Sequence, residues 1–140
     1  MSSTAIIYPA ITMFALTLGV IFSMGIARRN AVVRGEVRMS YFRTYIEGTQ
    51  PTRLHILSRH VQNHFEVPPL FYVGVIFIFV TGMVSSLTVS LAWLFVIVRC
   101  VHTYIHLGSN NVRHRFYAFV TSLLILAGLW VTLFISLIRA

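Results

Sequence analysis

Long apolar runs separated by polar segments form the pattern of this chain. Residues 5–27 carry no charge, and these 23 residues exceed the ~20 that a helix needs to cross a bilayer. Residues 67–98 form a longer uncharged run that Gly82 and two serines interrupt, so this run predicts a hairpin of two spans. Residues 116–138 form the last run. The pattern predicts an all-α fold, a four-helix membrane bundle in one domain (1–140), with spans at about 5–27, 60–84, 87–107 and 116–138.

The polar segments between the runs are basic. Seven of the eleven basic residues, all arginines, lie between Arg28 and Arg59, most of them in a predicted loop over about 28–58. The turn before the last span adds Arg113 and Arg115, whereas the turn between the second and third spans is uncharged. Because arginine-rich loops stay in the cytoplasm, this asymmetry predicts cytoplasmic basic loops and both termini on the non-cytoplasmic side.

The composition is typical of a membrane protein. Hydrophobic residues make up 57% of the chain, the mean hydropathy is +0.82, and 10% of residues are charged, against about 25% in soluble proteins. These values exclude intrinsic disorder, a disulfide-linked module and an ordinary soluble enzyme. The formal net charge of +8 needs no nucleic-acid partner, because the basic loops account for it and no recognised nucleic-acid-binding module accompanies it.

A polar stripe is predicted on the third span. Arg99 lies within an apolar run, where an unpaired charge costs at least ~2.5–3.5 kcal/mol. At about 100° per residue, Arg99 shares a narrow helix face with His102 and His106. We expect Arg99 to face inwards and to be paired, rather than to reach for the membrane surface.

A second polar stripe lies at the start of the second span. Arg59, Asn63 and Glu66 fall within about 60° of one helix face, and Pro68 predicts a kink just past the glutamate. The two stripes project from adjacent helices, and we expect Glu66 to be the buried partner of Arg99. Such a charge network would fix helix packing with or without a ligand.

Histidines offer a competing constellation. Of six histidines, four form the pairs His60/His64 and His102/His106, whose spacing lets two imidazoles on one helix share a metal or bind haem. His60 and His64 point about 110° away from the stripe that begins at Arg59. A histidine-ligated haem or metal protein is therefore the weaker alternative. We expect interfacial, hydrogen-bonded histidines and no metal ligands.

The polar positions together resemble the MAPEG family, the membrane-associated proteins of eicosanoid and glutathione metabolism. The motif Arg59-x-x-x-Asn63-x-x-Glu66 opens the second of four spans, as it does in that family. Further similarities are the arginine pair Arg28-Arg29 closing the first span, the third-span sequence Arg99-Cys-Val-His102-Thr103, and Arg113 opening the fourth span. The third-span sequence is similar to that of microsomal glutathione transferases. The chain as a whole resembles a bacterial branch of the family, and the resemblance covers essentially its whole length.

This resemblance implies a function and a set of site residues. It implies a homotrimer in the bacterial inner membrane that binds glutathione as co-substrate and acts on lipophilic electrophiles as a transferase or peroxidase. The implied roles are Arg59 and Glu66 for the charged ends of glutathione, Asn63 for its amides, Arg29 for a contact from a neighbouring subunit, and Arg113, or else Arg115, for the thiolate. Arg99, His102 and His106 complete the implied glutathione site.

Departures from the family pattern favour a different function. Val67 stands where several family members have tyrosine, and leukotriene C4 synthase has tyrosines at the places of His102 and His106. A chain that kept the fold and lost the chemistry would be a non-catalytic membrane accessory or lipid-binding protein. The two hypotheses differ in glutathione affinity, which an accessory protein would lack.

Overall fold

Four long helical segments form the protein, which a computed structural model describes over residues 2–46 and 48–140. A 3-10 turn (Ser3–Ile6) leads into α1 (Ile7–Val33), and α2 (Tyr41–Thr44) is a single turn in the following loop. The second segment comprises α3 (Thr52–Glu66) and α4 (Pro68–Val80), and α5 (Ser86–Leu107) and α6 (Val112–Ile138) complete the bundle. The described residues include no β-strand, and the predicted all-α, four-helix membrane fold is confirmed.

Four helical stretches are long and apolar enough to cross a membrane, as expected of an integral membrane protein. They are Ser3–Val33, Thr52–Val80, Ser86–Leu107 and Val112–Ile138. The first helix runs past its predicted end at residue 27 and the second starts before residue 60, so the polar loop between them shrinks from 28–58 to 34–51. The reason is that charge ends an apolar run without ending a helix, since arginine is a good helix former.

The second span is interrupted at its proline pair, as the sequence predicts. Pro68 has no N–H, and α3 ends with a long hydrogen bond from the Val67 N–H to the Asn63 carbonyl oxygen, at 3.5 Å. A new helix begins at Pro68, where the missing donor costs little because first-turn N–H groups have no helical acceptor. The break separates the amphipathic α3 from α4, which is apolar on all sides.

The main apolar core lies between the first half of α1, α4, the first half of α5 and the second half of α6. Phe71 stacks on Phe95 with ring centroids 4.5 Å apart. Gly74 permits the close approach of α6, because a Cβ atom there would lie 3.3 Å from Nε1 of Trp130, which itself donates to the Leu70 carbonyl oxygen. This core leaves the polar residues of α3 and α5 to the other end of the bundle.

That other end, here called the basic end, carries the loop 34–51 and the turn 108–111. A smaller apolar cluster packs α1, α2 and α3 together there: Met24, Ala31, Val37, Tyr41, Leu54 and Leu57. Asn111 caps α6, its side-chain oxygen accepting the N–H groups of Arg113 and His114 at 3.1 and 3.2 Å. These contacts fix the helix ends that carry the polar residues.

Candidate functional site

The three motif residues of α3 form a surface stripe, here called the outer stripe (Arg59, Asn63 and Glu66). Arg59 and Glu66 are exposed, and Asn63 is half-buried, its side-chain N–H donating to the Arg59 carbonyl oxygen at 3.1 Å. The opposite side of α3 packs into the bundle through Leu54 and Leu57. The charged residues take the side on which they are not buried in the bundle. The outer stripe therefore presents a cation, an amide and an anion along one helix face.

Arg99 of α5 is fully buried, with 0% of its surface exposed. Its Nη2 group donates to the Asn63 carbonyl oxygen at 3.3 Å, and its buried Nε and Nη1 have no partner among the described residues. The prediction that Arg99 faces inwards is confirmed, but the expected pairing with Glu66 is wrong. Within residues 2–46 and 48–140 the ion pair is Arg34–Glu36, at 3.9 Å. Glu66 lies on the exposed face of α3, so Arg99 meets the α3 backbone instead of a carboxylate.

Arg99 shares the bundle interior with four buried histidines, here called the histidine cluster (His60, His64, His102 and His106). The centroid of the His60 ring lies 4.8, 5.6 and 4.7 Å from those of His64, His102 and His106, respectively. The face of α3 that packs against His102 and His106 of α5 is therefore the one that carries His60 and His64, and not the outer stripe. An uncharged imidazole costs less to bury than a guanidinium or a carboxylate, which explains this orientation of α3.

Threonine hydroxyls connect the histidines of α3 to α1 and α5. Thr103 Oγ1 lies 3.1 Å from His60 Nε2 and 3.4 Å from His64 Nε2. Thr17 Oγ1 lies 3.0 Å from His64 Nδ1, and its hydroxyl donates to the Met13 carbonyl oxygen at 3.0 Å. Because that hydroxyl proton is used, Thr17 accepts from His64 Nδ1, and Nε2 of a neutral His64 accepts from Thr103. The expected hydrogen bonding is confirmed for these two histidines, which lie inside the bundle rather than at its interface.

The histidine cluster also contains polar atoms without partners. The Nδ1 atoms of His60, His102 and His106 are buried and make no hydrogen bond to the described part of the chain. In that same part, no three His, Cys, Asp or Glu side chains are placed to hold a metal ion. The metal alternative therefore has no ligand set among these residues.

The remaining arginines of the predicted site lie at the basic end. Arg29 and Arg113 are exposed, and in the described residues no hydrogen bond or ion pair joins either side chain to the outer stripe. Arg115 is instead half-buried, and its Nη1 group donates to the Asn110 side-chain oxygen at 2.8 Å. A single chain thus leaves Arg29 and Arg113 available and engages Arg115 in the turn.

A cavity of about 700 Å³ opens at the basic end, between α1, the start of α3 and the end of α5. Its polar lining consists of Ser23, Asn30, Arg34, Glu36, Arg53, His106, and Asn110. His106 belongs both to the cavity wall and to the histidine cluster. Sequence analysis did not predict this cavity, because its walls come from three segments far apart in the chain.

The contacts that His60 and His64 make inside the bundle were not predicted either. His60 and His64 follow Leu57 by three and seven residues, a spacing that places them on the buried face of α3 and could have revealed their orientation. Thr17 gave no such signal. A threonine in an apolar span commonly bonds to its own helix, and nothing in the sequence indicates that Thr17 also contacts His64.

Comparison with known proteins gives a match at the level of a family. The family model of the MAPEG family matches residues 6–135, a stretch that includes the outer stripe, Arg99 and the histidine cluster. No curated protein and no solved structure matches the chain.

Proposed function

Because the chain belongs to the MAPEG family, we propose that it is a membrane-bound glutathione-dependent transferase or peroxidase acting on lipophilic electrophiles. Membership itself makes it a membrane protein of the family of glutathione and eicosanoid metabolism. In the proposal, glutathione is the co-substrate and the second reactant is an apolar small molecule dissolved in the surrounding lipid.

The outer stripe is the observation that carries the proposal. Glutathione presents two carboxylates, an ammonium group and a thiol. Arg59 offers a planar fork of N–H donors that suits a carboxylate, Glu66 a carboxylate for the ammonium group, and Asn63 an amide for the peptide groups. Both charged side chains are exposed and have no ion-pair partner among the described residues, so their charges are available to a ligand.

The proposed chemistry needs the glutathione thiolate. A free thiol has a pKa of about 8.5, so only a few per cent is ionised at pH 7. Lowering that pKa by about two units takes ~2.7 kcal/mol, an effect that one guanidinium near the sulfur can supply in a partly dry site. Arg113 is the candidate for this role, because its exposed side chain is free of the contact that engages Arg115 with Asn110.

Two reactions are open to such a thiolate. In transfer, its sulfur forms a bond to the electrophilic carbon, and the leaving group departs with the electron pair of the broken bond. In peroxide reduction, two glutathione molecules are oxidised to the disulfide while the hydroperoxide becomes an alcohol and water. The exposed rings of Tyr104, Phe116 and Tyr117 offer the apolar substrate a surface near the basic end.

The proposal includes a homotrimer in which sites lie between subunits. Arg29 then comes from a neighbouring chain, which accounts for its exposure and its lack of a bond to the outer stripe within one chain. Lipid surrounds the trimer, and no nucleic acid takes part. We infer that the basic end is cytoplasmic and both termini are on the other side, in a bacterial inner membrane.

The buried members of the predicted site take a different role in this proposal. Arg99, His102 and His106 lie in the interior and support glutathione binding by positioning α3. The hydrogen bond from Arg99 to the Asn63 carbonyl oxygen holds α3 at the middle of the outer stripe. They are therefore positioning residues rather than contacts of the ligand.

Steady-state kinetics of the purified protein test the proposal. Conjugation of glutathione to chlorodinitrobenzene, an activated aryl chloride, is measured for wild type, for Arg59→Gln and for the control Arg43→Gln, which alters an exposed arginine of α2. Losing a charge-assisted hydrogen bond worth about 1.5–3 kcal/mol should raise the KM for glutathione about tenfold or more in Arg59→Gln. An unchanged KM would remove the outer stripe from the proposal.

A second candidate function is a non-catalytic accessory or lipid-binding protein. The observation in its favour is Val67, which is buried and gives the site no hydroxyl group next to Glu66. This alternative predicts no conjugation, no glutathione affinity and co-purification with a membrane partner. The kinetic experiment distinguishes it directly from the transferase or peroxidase.

A further inference from the structure

The interior of the bundle contains a positive charge that no described acidic residue neutralises. Arg99 is fully buried, and a guanidinium keeps its proton in proteins. Its hydrogen bond goes to the neutral carbonyl oxygen of Asn63. Glu36 is paired with Arg34, and Glu66 is exposed on the far side of α3. A buried charge without a counter-charge is strongly destabilising, so this site is incomplete as a protein structure alone.

Unpartnered polar atoms gather around that charge. Five buried nitrogens have no hydrogen-bond partner among the described residues: Nε and Nη1 of Arg99, and Nδ1 of His60, His102 and His106. Arg99 is one helical turn from His102, whose ring lies 5.7 Å from that of His106. Buried polar groups in proteins nearly always find a partner, so a group of five without one indicates a small bound ligand.

One residue of the histidine cluster borders the cavity at the basic end. His106, 2% exposed, lines the cavity of about 700 Å³ and lies 4.7 Å from His60 between ring centroids. Arg34, Glu36 and Arg53 also line the cavity, and because Glu36 is paired with Arg34, Arg53 leaves an excess of one positive charge there that favours anions. Arg99 lies eight residues before the end of α5 at Leu107, about 12 Å along the helix.

We propose that Arg99, together with the Nδ1 groups of His102 and His106, binds a small monovalent anion, such as chloride, inside the bundle. A metal ion would be repelled by the guanidinium, and the described residues offer it no set of three ligands. Water would satisfy hydrogen bonds but not the charge. A single negative charge does both, because neutral histidines leave Arg99 as the one cation of the cluster. This site lies inside the bundle, apart from the outer stripe at which glutathione is proposed to bind.

Thermal unfolding of the full chain in detergent tests the proposal. At equal ionic strength, sodium chloride should raise the Tm above that in sodium gluconate, whose anion is too large for the site, by about 4 °C or more at saturation. The difference should vanish in Arg99→Gln and persist in Arg139→Gln, which alters an exposed arginine at the end of α6. Equal Tm values in the two salts for wild type, or a difference retained in Arg99→Gln, would overturn the proposal.

A measurement on wild type covers the case in which Arg99→Gln does not fold. Crystals grown with bromide in place of chloride should show an anomalous scattering peak beside the Arg99 guanidinium. No peak there, or a transition metal at the histidines, would overturn the proposal. Sodium formate distinguishes the source of the anion: a larger Tm rise with formate than with chloride identifies the carboxylate of a small acid, and the reverse identifies a halide.

Discussion

At the scale of single residues, the arginines differ in burial, and burial determines which of them a ligand at the surface can contact. Arg99 has no exposed surface, whereas Arg59 and Arg113 are exposed on helices that enter the membrane. The sequence predicts the inward orientation of Arg99 because ionisable residues also cluster on the neighbouring span, where they could pair with it. It could not predict the acceptor, because backbone carbonyl oxygens look alike in a sequence and the rotation of α3 decides which one Arg99 meets.

Removal of the Arg113 guanidinium is expected to impair thiol ionisation. If it lowers the pKa of bound glutathione from about 8.5 to about 6.5, Arg113→Ala reduces the ionised fraction, and the conjugation rate at pH 7, about 25-fold. The pH–rate profile of glutathione conjugation measures this effect. Since alkaline pH ionises the thiol without help, the variant should regain most of its activity well above pH 8.5.

The control for that experiment is Arg139→Ala, which removes an exposed arginine at the other end of α6 and should leave the profile unchanged. A loss in Arg113→Ala that alkaline pH does not reverse would show that Arg113 serves folding or anchoring instead. Unchanged activity at pH 7 would assign the thiolate to another group.

Thr103 is the residue whose hydroxyl links the two histidines of α3 to α5. Thr103→Val keeps the shape of the side chain but leaves buried imidazole nitrogens unpaired, so we expect a loss of about 1–3 kcal/mol in the free energy of unfolding. The matched control is Thr132→Val, because the hydroxyl of Thr132 bonds only within α6, to the Gly128 carbonyl oxygen. Thermal unfolding compares the two variants, and equal Tm values would mean that the histidine bonds add no stability.

At the scale of the helices, the rotation of α3 determines the site. Its buried apolar residues and two histidines face inwards, while Arg59 and Glu66 are exposed on the other side. Sequence analysis found both polar stripes but assigned the wrong side of α3 to the interior, because it weighted the charge pair above the cost of burying a carboxylate. The proline break after Glu66 was predictable, since proline lacks the donor that helix continuation needs.

Contact between α4 and α6 depends on the absence of a side chain at Gly74. A Cβ atom there would lie 3.3 Å from Trp130 Nε1, so Gly74→Leu should push the helices apart and cost about 1–3 kcal/mol of stability. Gly128→Leu is the control, because no atom lies within 4 Å of a Cβ atom at that position. Thermal unfolding in detergent should show a lower Tm for Gly74→Leu, and a Tm equal to that of the control would contradict this packing.

At the scale of the whole molecule, three apolar runs, the middle one interrupted by Gly82 and two serines, were sufficient to predict the four spans of the bundle. A segment that spans the lipid has to be apolar, so hydropathy identifies it. It also has to form a helix, because its backbone N–H and C=O groups find no other hydrogen-bond partners in lipid. The cavity at the basic end was beyond such reasoning, because it depends on how α1, α3 and α5 meet. The length of the first loop was overestimated for a related reason: a helix continues beyond the apolar part of its sequence.

Sharing of sites between subunits can be tested by complementation. At glutathione concentrations well below the KM, Arg29→Ala and Arg59→Gln should each keep about a tenth or less of the wild-type activity as pure proteins. When the two chains are co-expressed and assemble at random, about a quarter of the intersubunit sites of a trimer receive both wild-type arginines. Co-purified mixtures should therefore show at least about a quarter of wild-type conjugation, whereas sites confined to one chain would show no more than the pure variants do. The mass of the complex should correspond to three copies of the 15.9 kDa chain.

The central claim is that this membrane protein binds glutathione and ionises its thiol. The most direct test is the ultraviolet difference spectrum of the purified protein recorded during titration with glutathione at pH 7. We expect a thiolate absorption band that saturates with glutathione in the wild type and in Arg139→Ala and is lost in Arg113→Ala. A flat difference spectrum for the wild type at every glutathione concentration would contradict it and would favour the non-catalytic accessory protein.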